Sequence, residues 1–175
     1  VTDMTLEEAT SYTVIAGNGR DEYPNEKITS LDTYLSILRD NRNAHAVIEL
    51  KMNDLSEMSA SLLISKIYQY GLADRATFIS FNQSSLEAMM KADTSDGMIG
   101  YQLVAYNFTQ DNMDWCTENG ADFSCKYTGI DKEQIDLLHK DDIKVSVWTV
   151  DDFYQAYSMI KDNDVDYLTS NTMHF

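Results

Sequence analysis

The sequence is poor in the residues that punctuate or cross-link chains: one proline, seven glycines, two cysteines and three histidines occur among 175 residues. With so few glycines and no G-x-G-x-x-G run, the phosphate fingerprint of dinucleotide folds is excluded. Cys116 and Cys125 form no C-x-x-C pair, which argues against a zinc site and leaves either two buried thiols or one disulfide. Positive charge is scarce as well. Thirteen Lys and Arg stand against 29 Asp and Glu, giving a net charge of −16. A surface that negative repels phosphate backbones and anionic headgroups, so no nucleic acid and no membrane surface is expected as a partner. One lysine or one metal ion still reverses the field locally inside a pocket. No apolar run approaches the roughly 20 residues of a membrane helix, and Val1 to Thr5 show no basic-then-apolar leader. A mature secreted chain reads the same way, so the compartment stays open. What remains is 43% hydrophobic and 24% charged, which suits one globular domain over residues 1–175.

Hydrophobic runs and helical patterns alternate. Strands are expected at 43–51, 76–81, 98–104, 121–125, 144–150 and 165–169, with helices between them. Gly71 is the expected C′ residue of the first of these helices, Ser84 or Ser85 the expected cap of the second, and the last helix is expected from Asp151 to Lys161. The first 43 residues differ: Thr5-Leu6-Glu7-Glu8 reads as a capped helical turn, residues 18–24 as a loop, and Ser30 as the cap of a helix through Leu38. Six strands each followed by a helix imply parallel βαβ units. They fit either an open doubly wound sheet or most of an eight-stranded barrel.

The strand at 43–51 carries the most chemistry. Side chains alternate along a strand, so Val47, Glu49 and Lys51 share one face while Ile48 and Leu50 take the other. With Ile48 and Leu50 packed on outer helices, Glu49 and Lys51 point inward at the C-terminal end, where barrel enzymes build their sites. A buried carboxylate needs a cation. Either Glu49 binds a divalent metal and Lys51 an anionic substrate, or the two form an internal ion pair that only fixes the strand. In the strand at 144–150, Trp148 falls at the same end, before Asp151-Asp152, as a pocket wall or a core side chain.

Six short motifs then fall in one order. Ile48-Glu49-Leu50-Lys51 resembles an Ile/Val-Glu-Ile-Lys strand, and Ile79-Ser80-Phe81-Asn82 with Ser85-Leu86 a Ser-Phe-Asp/Asn strand end. Val145-Ser146-Val147-Trp148-Thr149-Val150 resembles Val-x-Val-Trp-Thr-Val, and Val165-Asp166-Tyr167-Leu168-Thr169 a closing Val-Asp-Gly-Ile-Thr strand. The segments from Asp3 to Glu8 and from Ile28 to Asp32 match the approach to the Glu-x-Lys strand. Together they resemble the glycerophosphodiester phosphodiesterase family, over nearly the whole chain. The resemblance implies an α/β TIM-type (β/α)8 barrel and hydrolysis of glycerophosphodiesters to glycerol 3-phosphate and an alcohol. It further implies a divalent metal, magnesium or calcium, with Glu49 as a metal ligand, Lys51 as a phosphate contact and Trp148 as a pocket wall.

The family's His-Arg-Gly, Glu-x-Asp and His-Asp motifs have no counterpart, and His45, His139 and His174 match none of them. The missing motifs form one N-terminal block, so the expectation is an incomplete barrel of about six of eight strands, inactive by itself. The other expectation is a shortened, non-catalytic relative that binds a phosphorylated ligand or pairs with a partner. Two open sheet edges also invite self-association. Asp151 replaces the family's Asn after Trp-Thr-Val, and Ser170-Asn171-Thr172 replaces its Asp-x-Pro.

Overall fold

The structure is a computed structural model describing residues 3–17, 19–94 and 96–172. His174 lies outside the described residues. Thirteen elements follow in the order α1 (Leu6–Ser11), α2 (Leu31–Asp40), β1 (Ala46–Glu49), α3 (Glu57–Gln69), β2 (Ala76–Ser80), α4 (Gln83–Ala92), β3 (Gly100–Ala105), α5 (Gln110–Asn119), β4 (Asp122–Lys126), α6 (Lys132–Lys140), β5 (Val145–Trp148), α7 (Phe153–Lys161) and β6 (Tyr167–Leu168). Every neighbouring strand pair is parallel, and the sheet order is β1-β2-β3-β4-β5-β6. Sequential parallel order with a helix at each crossover gives a sheet that curls one way, and the result is an incomplete TIM-type barrel of six strands. The open doubly wound alternative is thereby removed, because its strand order reverses at the centre.

Local chemistry sets the helix starts. Thr5 and Glu8 form the expected capping box of α1, and Ser30 caps α2 by accepting from the Thr33 amide. Asp131 caps α6 and Asp152 caps α7 in the same way. Gly71 follows the C-cap Tyr70 with φ +65°, the left-handed C′ position that glycine occupies without strain. Two expectations need correction. The cap of α4 is Asn82, whose side chain accepts from the Ser84 amide, while Ser85 is buried inside the helix. The helix expected from Asp151 starts at Phe153, because Asp151 is bonded elsewhere. The strands are also shorter than the apolar runs, although single backbone bonds continue past their ends, as from the Val150 amide to the Thr169 carbonyl at 2.9 Å. Val150, for example, lies beyond β5 yet is fully buried.

The two faces of the sheet differ. Phe78, Phe123, Val145, Val147 and Cys125 are fully buried on the convex face, in one core with Ile64, Ile67, Leu86, Met89, Ile135 and Leu138 of the helices. Cys116 and Cys125 are both buried free thiols, and burial pushes each up to about 12. On the concave face Val47, Thr77, Ile79, Gln102, Ser124 and Ser146 line a cavity of about 380 Å³. Among the described residues, no helix is long and apolar enough to cross a membrane.

Candidate functional site

The strand registers define the concave rim. Glu49 pairs with Ile79, which pairs with Gln102, so Glu49 shares the concave face with two residues that line its cavity. Val47 lies on that face as well, and Leu50 is buried on the other, so the alternation expected for this strand holds. Lys51 stands two residues beyond the end of β1 and donates to the Glu49 carboxylate at 2.6 Å. The Glu49 side chain is less exposed than that of Lys51, 31% against 76%. The lysine is therefore held at the rim with most of its side chain open to solvent.

Three side chains fix the segment that carries Lys51. Ser80 Oγ donates to the Leu50 carbonyl at 2.9 Å, Asn82 Nδ2 donates to the Asn53 carbonyl at 2.9 Å, and Ser85 Oγ donates to the Met52 carbonyl at 2.9 Å. Ser80 Oγ also accepts from the Asn82 amide. The Leu50 amide makes the last ladder bond, to the Ile79 carbonyl at 2.8 Å, and beyond it these side-chain bonds replace the partners the sheet would have supplied. The Ser-Phe-Asn motif thus acts structurally on the neighbouring strand end.

At the other side of the rim, Trp148 closes β5. Its ring meets Phe81 at a centroid distance of 5.7 Å and Tyr106 at 5.6 Å, edge to face in both cases, and Phe81 meets Tyr106 at 5.2 Å. Phe81 follows β2 and Tyr106 follows β3; they are 46% and 62% exposed. The three rings make a wall whose outer side faces solvent. Trp148 Nε1 is buried and without a hydrogen-bond partner among the described residues. Lys126, paired with Trp148 in the sheet, completes this stretch of rim. Sequence reasoning singled out Trp148 and missed Phe81, Tyr106 and Lys126. Extending the period-two alternation past the ends of β2 and β3 finds Phe81 from Ile79 and Tyr106 from Gln102.

Asp151 sits where the family pattern has Asn. It accepts from the Asn171 amide at 2.6 Å, from Asn171 Nδ2 at 3.1 Å and from Ser170 Oγ at 3.1 Å, and so ties the segment after β6 to the end of β5. The Asn171 amide is the main cause that holds this carboxyl below its ordinary range.

His45 and His139 lie elsewhere. His45 precedes β1 and contacts Thr77 Oγ1 at 2.8 Å, and burial is the first cause that lowers its pKa. His139 Nε2 is 3.0 Å from Asp166 Oδ2, which also accepts from the Val145 amide at the start of β5. Both imidazoles are thus at the N-terminal end of the strands, opposite to Glu49, Lys51 and Trp148. Among the described residues, no three His, Cys, Asp or Glu side chains converge in a way that holds a metal ion. A hard divalent cation takes about six to eight oxygens. One carboxylate already engaged by a lysine does not fit that demand.

The fold matches that of several solved structures. It superposes on a phosphodiesterase of Oleispira antarctica in complex with the product sn-glycerol-3-phosphate with a TM-score of 0.82 at 18% identity, covering 97% of this chain and 68% of that one. For a glycerophosphodiester phosphodiesterase of Parabacteroides distasonis the TM-score is 0.79 at 20% identity, over 97% and 67% of the two chains. For one of Agrobacterium tumefaciens it is 0.71 at 17% identity, over 97% and 69%. The chain therefore spans about two-thirds of the length of these structures. No curated protein matches the sequence. The model of the glycerophosphoryl diester phosphodiesterase family matches residues 1–173, and the chain belongs to that family.

Proposed function

We propose that this chain is the larger part of a phosphodiesterase barrel that hydrolyses glycerophosphodiesters to glycerol 3-phosphate and an alcohol. The observation that carries the reading is the Glu49–Lys51 pair at the concave, C-terminal rim of a barrel belonging to this family. Lys51, held by Glu49, presents its ammonium to a non-bridging phosphate oxygen and offsets the charge that builds there when water adds to phosphorus. Water supplies the oxygen, the phosphorus–alkoxy bond breaks, and the proton goes to the departing alcohol. The wall of Phe81, Tyr106 and Trp148 packs on the apolar parts of the diester and shields the phosphoryl centre from bulk solvent. Glu49 would offer one oxygen to a divalent cation, magnesium or calcium, and the chemistry such an ion would supply is polarisation of the phosphoryl group. The donor set of this chain alone does not fit such an ion, so the further oxygens and the acid and base come from outside these residues. The chain by itself is accordingly proposed to be inactive.

The test is glycerol 3-phosphate release from a glycerophosphodiester by this chain joined to the two βα units that complete its relatives. The completed barrel is expected to turn over, and Glu49→Gln and Lys51→Met each to lower kcat/KM by at least about 100-fold, in line with the removal of one charge-stabilising group. A completed, folded barrel without turnover, or variants with unchanged kcat/KM, would overturn the reading.

A second reading is favoured by the sheet itself, in which β1 and β6 form the two edges. A shortened, non-catalytic relative would use those edges to pair with a partner or another copy. Sedimentation of the chain as a monomer at all concentrations would count against it.

A further inference from the structure

We infer that Lys126 is a specificity-determining residue that selects diesters whose second alcohol carries a carboxylate; the inference rests on the phosphodiesterase reading above. Lys126 is the last residue of β4 and pairs with Trp148 on β5. It shares strand parity with Asp122 and Ser124, both of which line the concave cavity, so it belongs to the concave face at the C-terminal rim. On its other side, Ala105 pairs with Cys125, and Tyr106 is the next residue along. The Tyr106 and Trp148 rings meet at 5.6 Å across the strand that carries Lys126. The lysine therefore stands at the rim beside the aromatic wall, on the strand over which two of its rings meet.

Its backbone is fixed. The Tyr127 amide donates to the Trp148 carbonyl at 3.0 Å, the Gly129 amide to the Lys126 carbonyl at 2.8 Å, and the Phe108 amide to the Gly129 carbonyl at 2.8 Å. Gly129 comes so close to β3 that a Cβ there would lie 1.9 Å from the Tyr106 carbonyl oxygen. The loop after Lys126 is thus clamped onto the loop after Tyr106, and the root of the lysine is held in place.

Charge decides what such a lysine is for. In a chain of net charge −16, five of the thirteen Lys and Arg side chains form ion pairs among the described residues, and one of them, Lys51, is taken by Glu49 at 2.6 Å. Lys126 is exposed and has no ion-pair or hydrogen-bond partner for its ammonium among the described residues. The carboxylates of the neighbouring loops are committed to backbone amides: Asp131 caps α6, Asp152 caps α7 and Asp151 holds Asn171. One lysine, Lys51, answers the single negative charge of a phosphodiester. A second and unpaired one answers a second negative charge on the ligand, and it disfavours a quaternary ammonium at the same place.

Glycerophosphoserine and glycerophosphoethanolamine differ by one carboxylate and provide the test. The chain is titrated with each while Trp148 emission is followed; Trp115, whose Nε1 donates to Glu87 between α4 and α5, gives the background. Wild type is expected to bind the serine diester about tenfold more tightly, a difference of about 1.4 kcal/mol. Lys126→Gln should reduce that preference to about twofold or less with the affinity for the ethanolamine diester retained, and Lys126→Arg should restore it. A preference unchanged in Lys126→Gln, or absent from wild type while both diesters bind, would overturn the assignment to Lys126 and leave the phosphodiesterase reading intact. No response to either diester or to glycerol 3-phosphate would overturn the assignment together with diester recognition by this rim. Unchanged thermal melting of the variants separates these outcomes from misfolding.

Discussion

The two faces of one sheet divide the work of this protein. On the convex face large apolar side chains meet six helices, α2 to α7, and Phe78, Phe123, Val145 and Val147 have no solvent exposure. On the concave face, Val47 is 55% exposed and Tyr167 is 51% exposed, and small polar groups such as Thr77, Ser124 and Ser146 stand between them. Burial of apolar surface stabilises the fold by about 25 cal/mol per Å², so the convex face holds the structure. The concave face contributes little to stability, and its freedom from packing lets a carboxylate, two lysines and three rings collect at its rim. Stability and chemistry are separated by the pleat of a strand, one residue apart.

The largest expected effect tests that division directly. Phe123→Ala on the convex face should cost about 3–5 kcal/mol, since it removes a fully buried ring and leaves a cavity. Val47→Ala on the concave face should cost under about 1 kcal/mol. Urea denaturation of both variants gives the comparison, and similar losses would break it.

Next comes the rim. Gly129→Ala sets a methyl group against the Tyr106 carbonyl, so the two loops must part. A loss of about 1–3 kcal/mol is expected, as for other overpacked sites, together with a shift of Trp148 emission as its contact with Tyr106 is disturbed. A stable variant with the wild-type spectrum would show that the clamp does not position the wall.

Ser85→Ala should cost about 1–2 kcal/mol, because the Met52 carbonyl loses its donor. Faster amide exchange confined to residues 50–53 is the sharper readout. Uniform exchange across β1 and β2 would instead mean that the serine serves the core at large.

The smallest effect concerns Asp122, whose carboxyl is raised mainly by burial, an effect partly offset by the Lys144 amide that donates to it. A group raised on folding favours the protonated, folded form at low pH, and that contribution is lost as pH rises through its folded value. Asp122→Asn should therefore melt slightly higher than wild type near neutral pH, and the gap should close as pH falls below the unfolded carboxylate range of about 4. A gap that widened in acid would reverse the assignment.

The alternation of strands and helices was legible because each element states its own period. The capping boxes of α1 and α6, the Ser30 cap and the Gly71 stop lie within four residues of what they cap, and short-range patterns of that kind are written in the chain. The faces of β1 were legible for the same reason, and so was the position of Glu49. Less legible were the partners. Ser85 reads as a cap by its type and position, but its hydroxyl serves the Met52 carbonyl 33 residues away. Asp151 reads as a helix start, but it binds a segment 20 residues further on.

The sequence by itself therefore determined the family, the six parallel strands and which residues of β1 point inward, because periodicity and short motifs are local properties. Tertiary structure alone decided that Phe81, Tyr106 and Trp148 form one wall, that Lys51 is held by Glu49, and that Lys126 stands next to Trp148 at the same rim. Curling of the sheet brings the ends of β2, β3, β4 and β5 together, and the register between strands is a cooperative result of packing that no single strand encodes.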